Sequence, residues 1–295
     1  MHKTLFLISF LLTFNSIAQE IKQTPYPMEK GSLLWEITGN DLSQSSYLFG
    51  TMHLIEKEYF LFPKKLKKTL LKSDVLVMEL AGLTDQTKAM QYIMLKGDKT
   101  FFDFFNQSET DSIYVWAQEK MGMDSTMFKM AFNKFKPFVV TQAAMQMSFA
   151  GKTESYEQTF EKIAKEEEIE LKGLETIEFQ ISLFDDLTDE QQAEMIMESI
   201  RTPDEATQFM KRMMQLYANQ YVDALYQLME EEGGVISEEQ ASFLDERNAN
   251  WIPLIEDIIK TQRAFIAVGA GHLGGPKGVI RLLEARGYEL KPVKL

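Results

Sequence analysis

Ala264-Phe265-Ile266-Ala267-Val268 runs directly into Gly269-Ala270-Gly271-His272-Leu273-Gly274-Gly275. Five consecutive apolar residues without alternation describe a strand buried on both faces, as parallel strands of α/β proteins are. The glycine-rich loop leads to a helix predicted over 276–286, with a proline near its first turn. Ligand sites of open α/β sheets lie beyond the carboxyl ends of such strands, and that is where His272 falls. A second arrangement of this kind lies near the other end of the chain, where Ser46-Tyr47-Leu48-Phe49 leads into Gly50-Thr51-Met52-His53-Leu54. Histidine is the commonest metal ligand and the usual acid or base near neutral pH. The chain holds only 3 histidines, so the shared context of two of them points to one site rather than two unrelated loops.

The remaining elements follow from spacing. Residues 35–39 and 47–50 flank a turn-rich segment and read as a hairpin. A helix over 63–73 comes next, then Val75-Leu76-Val77-Met78-Glu79-Leu80, an apolar strand with a carboxylate near its end. Apolar residues recur at helical spacing over 109–121, 128–149 with a break at Pro137, 156–167, 189–200 and 205–230. Methionines such as Met130, Met197 and Met214 in these helices are read as packing rather than as a binding groove. Residues 169–175 interrupt the helices as a short strand and turn, 238–260 form a helix containing Pro253, and 288–290 end the chain as an edge strand. The fold class is therefore α/β: a central mixed sheet with flanking helices in one domain over 19–295, within which 85–235 is largely a helical insertion.

Residues 1–18 have the organisation of a secretory signal peptide. His2 and Lys3 precede an apolar run over 5–14, and Ser16-Ile17-Ala18 supplies small residues for cleavage. The run is short of the ~20 residues a membrane span needs. The expectation is an exported protein, periplasmic or extracellular, with no membrane span once mature. Cysteine is absent, which excludes disulfides, thiolate zinc sites and a cysteine nucleophile. A net charge of −13 argues against nucleic acid or an anionic membrane surface as partner. No GxSxG elbow is present, and Gly269, Gly271 and Gly274 match GxGxxG without the rest of a dinucleotide-binding unit. Those glycines are read instead as letting the backbone turn so that His272 points into the crevice.

Two imidazoles and a carboxylate make a three-ligand set that leaves coordination positions open, as metal-dependent hydrolysis requires. His53, Glu79 and His272 supply such a set, each at or just past the end of a strand. Mixed carboxylate and imidazole ligation suits manganese, cobalt, zinc or iron. Glu175 is a candidate general base or a partner orienting a histidine. Arg247 and Asn248, in the last long helix, are candidates for holding a substrate carboxylate or a developing oxyanion.

Taken in order, Gly50 to His53, Val75 to Leu80, Gly173 to Thr176, Glu246 to Trp251 and Gly269 to Leu273 resemble the motifs of the TraB/GumN family, which includes the Tiki metalloproteases. The resemblance implies a fold like that of the erythromycin-esterase and haem-binding ChaN proteins. It also implies divalent-metal-dependent hydrolysis of a peptide or small-molecule substrate. Alternatives on the same fold are an esterase-like hydrolase in which a histidine activates water without metal, and a non-enzymatic haem- or iron-binding or interaction protein. One departure stands out: family members often carry an aspartate where this chain has Glu157, in Ser155-Tyr156-Glu157.

Overall fold

The computed structural model describes residues 31–82, 86–148, 153–239 and 241–295, so the signal-peptide reading of 1–18 lies outside the described residues. The chain opens with the expected hairpin, β1 (Leu34–Gly39) and β2 (Ser46–Thr51), paired from Leu34↔Phe49 to Ile37↔Ser46. Its turn is built on Gly39, Asn40 and Asp41, all with positive φ, which asparagine and aspartate tolerate better than other side chains. After the two-residue β3 (Ile55–Glu56) come α1 (Lys64–Leu70) and β4 (Val75–Leu80). The helical middle begins with α2 (Gln86–Ile93), α3 (Gln107–Met121), α4 (Ser125–Phe132) and α5 (Pro137–Ser148). Then follow β5 (Thr153–Glu154), α6 (Tyr156–Glu166), β6 (Glu170–Glu175), α7 (Ile177–Asp185), α8 (Asp189–Arg201), α9 (Pro203–Ala218), α10 (Val222–Glu232), the short α11 (Val235–Glu238) and α12 (Glu246–Ile259). β7 (Ala264–Gly269), α13 (Val279–Ala285) and β8 (Tyr288–Pro292) complete the chain.

The architecture is α/β, with a mixed central sheet in the order β6-β4-β7-β2-β1-β8. β6, β4, β7 and β2 are mutually parallel, while β1 runs antiparallel to both its neighbours. β4 and β7 are buried along all but their last residue, which is why their sequences show no alternation. Phe49 and Phe265 project from the sheet against Phe160 of α6, with ring centroids 5.6 and 5.2 Å away. Trp251, Ile252, Ile255 and Ile259 bury the inner face of α12, and Pro253 lies on its exposed face. A separate small core, centred on Phe101, Trp116, Phe128 and Ile196, holds α3, α4, α5 and α8 together.

Several boundaries differ from the periodicity. The helix expected over 205–230 is two, because Gln220 adopts a left-handed conformation (φ 62) between α9 and α10. The helix expected from 238 begins in earnest at Glu246, after α11 and a π-helical turn over Ala241–Asp245. The last helix starts at Val279 instead of 276, because left-handed Gly275 (φ 77) first redirects the chain. Met197 and Met214 pack in cores as expected, whereas Met130 is 83% exposed on α4. Among the described residues, no helix is long and apolar enough to cross a membrane.

Candidate active site

Adjacent parallel strands β4, β7 and β2 end side by side, and each delivers one candidate ligand. Glu79 is the penultimate residue of β4, His272 lies in a 3₁₀ turn (Ala270–His272) just past β7, and His53 is two residues past β2. Gly269 sits between them. A Cβ at Gly269 would lie 3.3 Å from Glu79 Oε1, 3.5 Å from His272 Cδ2 and 3.8 Å from His53 Nε2. The missing side chain is therefore the space the three groups share.

The two histidines are held differently. His272 is buried, its ring 4.4 Å from that of Trp251. Asn248 Nδ2 donates to the Lys277 carbonyl at 2.9 Å, which leaves its Oδ1 as acceptor for His272 Nδ1 at 2.7 Å. That fixes the tautomer with the Nε2 lone pair inward, where Arg247 Nη1 donates to it at 3.2 Å. Loss of hydration, helped by the Arg247 charge, outweighs the pull of Glu79 and lowers the pKa of His272 to about 3, so the ring is neutral. His53 is 67% exposed at its side chain, and its Nδ1 lies 3.0 Å from Glu157 Oε1. Desolvation opposes its charge, but the hydrogen bond and charge of Glu157 prevail and raise it to about 9.

Arg247 links the deep part of the site, and all five of its N–H groups are engaged. Nε and Nη2 donate to the two oxygens of Glu175 at 2.9 and 2.8 Å, Nη2 donates to Glu79 Oε2 at 2.6 Å, and Nη1 serves the Phe243 carbonyl at 3.1 Å besides His272. Glu175 also accepts from Trp251 Nε1 at 2.8 Å and from Gln180 Nε2 at 3.0 Å, and the same Gln180 amide donates to Glu79 Oε2 at 3.1 Å. Glu79 Oε1 receives the Gly269 N–H at 2.7 Å. Burial works against the charge of Glu79, but the nearby imidazoles, the Arg247 guanidinium and the Gly269 N–H outweigh it and hold its pKa down to about 2. Because His272 is neutral, the protonated His53 and the hydrogen-bonded Arg247 are the counter-charges of that carboxylate.

All six residues singled out from the sequence lie at the same end of the sheet, and hydrogen bonds join five of them, with His53 bonded to Glu157 instead. His53, Glu79 and His272 present atoms to the common space. Glu175, Arg247 and Asn248 spend their polar atoms on one another and on the ligand set, leaving no donor of Arg247 for a substrate. Glu157, Thr51 and Gln180 belong to the site as well. Thr51 Oγ1 donates to Glu157 Oε1 at 2.7 Å, and Ser155 Oγ donates to Glu157 Oε2 at 3.1 Å. The only sequence signal for Glu157 was its replacement of the family's aspartate. The reading of the glycine loop needs correction. Gly271 has no positive φ, and its closeness is steric: a Cβ there would lie 2.8 Å from Met229 Sδ.

The donor chemistry fits a divalent ion. Each histidine has its Nδ1 held by an oxygen acceptor, the outer support that metal-ligating imidazoles usually have, and each turns Nε2 inward. His272 Nε2 and Glu79 Oε1 are 3.8 Å apart, within the span of about 4.2 Å allowed to two atoms each ~2.1 Å from one ion. Among the described residues, no group of three or more histidine or acidic side chains is placed to hold a metal ion as it stands, and the Arg247 contact to His272 would have to lengthen on loading.

Searches of curated proteins and of solved structures returned no match. A profile of the TraB/PrgY/gumN family matches residues 33–292, from the start of the hairpin to the last strand and across every site residue, and the chain belongs to that family.

Proposed function

We propose that this protein is an exported, divalent-metal-dependent hydrolase that cleaves peptide bonds. The observation that carries the reading is the convergence of His53 Nε2, His272 and Glu79 Oε1 on the space left by Gly269. Those three residues would hold the ion, and manganese, cobalt, zinc or iron suits the set. Such an ion supplies a Lewis acid and a bound water of lowered pKa. The chain's own groups prepare the set. Arg247 and the Gly269 N–H keep Glu79 ionised, Asn248 keeps Nε2 of His272 unprotonated, and Glu157 holds the Nδ1 side of His53. The peptide substrate rests on the likeness to Tiki proteins, and export rests on residues 1–18.

A second reading has its own support, because Arg247 already places a cation 2.6 Å from Glu79 and 3.2 Å from His272. In that case hydrolysis needs no metal, and His53, held by Glu157, acts as general base on a water in the open crevice as pH rises toward its raised pKa of about 9. Chelation separates the two. Purified protein would be stripped, assayed on a peptide library with and without manganese, cobalt, zinc or iron, and analysed for bound metal. Metal-restored hydrolysis that His53→Ala and Glu79→Gln both abolish is the expected result. Chelator-resistant hydrolysis that still needs His53 would favour the second reading, and a chain that binds no divalent ion under any condition would overturn the first.

A further inference from the structure

His53 is the exposed member of the site, on a loop, and an exposed ring on a loop has several rotamers open to it. Its polar contact with the protein is to Glu157 Oε1, at 3.0 Å. That carboxylate is itself firmly placed. Its side chain is 13% exposed, it stands in the first turn of α6, where the helix dipole favours a negative charge, and it accepts hydroxyl hydrogens from Thr51 and Ser155. Ser155 is in turn the N-cap of α6, its Oγ accepting from the Gln158 N–H at 3.3 Å. The short β3–β5 ladder, Ile55↔Glu154 and Glu56↔Thr153, ties the His53 loop to the residues just ahead of Glu157.

From this geometry we infer that Glu157 is a positioning residue: it holds the Nδ1–H of His53 so that Nε2 faces the space beside Gly269. An ionised carboxylate only accepts, and both its oxygens already receive hydroxyl hydrogens, so the hydrogen shared with the ring belongs to Nδ1. Thr51, the last residue of β2, completes a relay that fixes the carboxylate from the strand side while Ser155 fixes it from the helix side. The inference uses the metal reading only for the consequence on ion binding; the orientation of the ring stands without it.

The test uses the mature chain, in which only His53 and His272 remain once residues 1–18 are removed. Nitrogen-edited NMR should show a protected, downfield Nδ1–H signal for His53. Glu157→Ala should abolish that signal, whereas Glu157→Gln, whose amide oxygen still accepts, should keep it. Binding of Mn²⁺ or Zn²⁺, followed by calorimetry, should weaken about 10–100-fold in Glu157→Ala and less in Glu157→Gln. If Glu157→Ala folds poorly, Thr51→Val removes one support of the carboxylate without touching α6 and should broaden the His53 signal. An unchanged Nδ1–H signal in Glu157→Ala would overturn the inference, as would a Gln variant that behaves like Ala. A parent chain that binds neither ion would sink the metal reading instead, and the NMR signal would still decide the role of Glu157.

Discussion

Arg247 Nη1 and His272 Nε2 lie 3.2 Å apart, so a guanidinium occupies the lone pair that an ion would need. At an effective dielectric of about 20, a guanidinium and a divalent ion held about 4 Å apart repel by several kcal/mol. Arg247 is thus both the support of Glu79 and a competitor for its partner. Arg247→Gln is expected to bind Mn²⁺ or Zn²⁺ at least about tenfold more tightly than the parent. The same change takes from buried Glu79 and Glu175 their shared guanidinium partner, so the metal-free variant should lose roughly 3–5 kcal/mol of stability. Calorimetric titration beside thermal melts checks both, and weaker binding in the variant would show that Arg247 supports the ligand set without competing.

Gly269 and Gly271 are expected to answer substitution differently, although they are two residues apart. Gly269 has φ −53 and ψ 136, which alanine adopts freely, so a methyl there costs no backbone strain. It would stand within 3.8 Å of all three candidate ligands. Gly269→Ala should therefore keep its melting temperature and lose ion binding and hydrolysis by about tenfold or more, since one misplaced group is enough to spoil a ligand set. At Gly271 the new methyl would meet only the flexible end of Met229. Gly271→Ala should be nearly silent in both assays.

How much of this was legible in the sequence depends on what each residue answers to. Glu79, His53 and His272 could be placed because unbroken apolar runs mark parallel strands, and residues at the ends of such strands share one edge whatever their separation along the chain. Glu157 could not. Its contact with His53 spans 104 positions and is enforced by a ladder of two residues on each side, too short to leave a pattern. Gln180 hides for a related reason: a single amide on α7 has no spacing to betray that it bridges Glu79 and Glu175. The roles of Arg247 and Asn248 were ambiguous because a sequence shows donors and not whether they are already engaged. The division of 205–230 into two helices turned on the left-handed φ of Gln220, which composition alone does not signal.

Alkaline pH should expose the tyrosine pair beneath the hairpin. Tyr156 is fully buried, donates to the Leu61 carbonyl at 3.0 Å and accepts from the Leu61 N–H at 2.9 Å. Burial raises its pKa to about 12, and burial likewise raises Tyr217, which donates to the Gly50 carbonyl at 2.8 Å. A raised acid binds its proton more tightly when folded, so its contribution is whole below the unfolded value near 10 and is lost as pH climbs through the folded value. For Tyr156 that amounts to roughly 2–3 kcal/mol between pH ~10 and ~12. Denaturant midpoints measured across this range should fall steeply for the parent and less steeply for Tyr156→Phe, with the parent the more stable by about 1 kcal/mol near neutral pH. Parallel curves would show that Tyr156 ionises as freely in the fold as outside it.

The two histidines should separate chemistry from packing. His53 is exposed and bonded through one nitrogen, so His53→Ala removes little that the fold uses, and its melting temperature without metal should stay close to that of the metal-free parent. His272 is 5% exposed, packs on Trp251, and satisfies both the Asn248 amide oxygen and one Arg247 N–H. Its truncation leaves a cavity and two buried polar groups without partners, a loss of about 2–4 kcal/mol. Both variants should fail to bind a divalent ion and to hydrolyse peptide. Added metal should raise the melting temperature of the parent alone, by mass action on the folded state. Equal destabilisation of the two variants would mean that His53 is part of the packing, while a metal-dependent rise in His53→Ala would remove His53 from the ligand set.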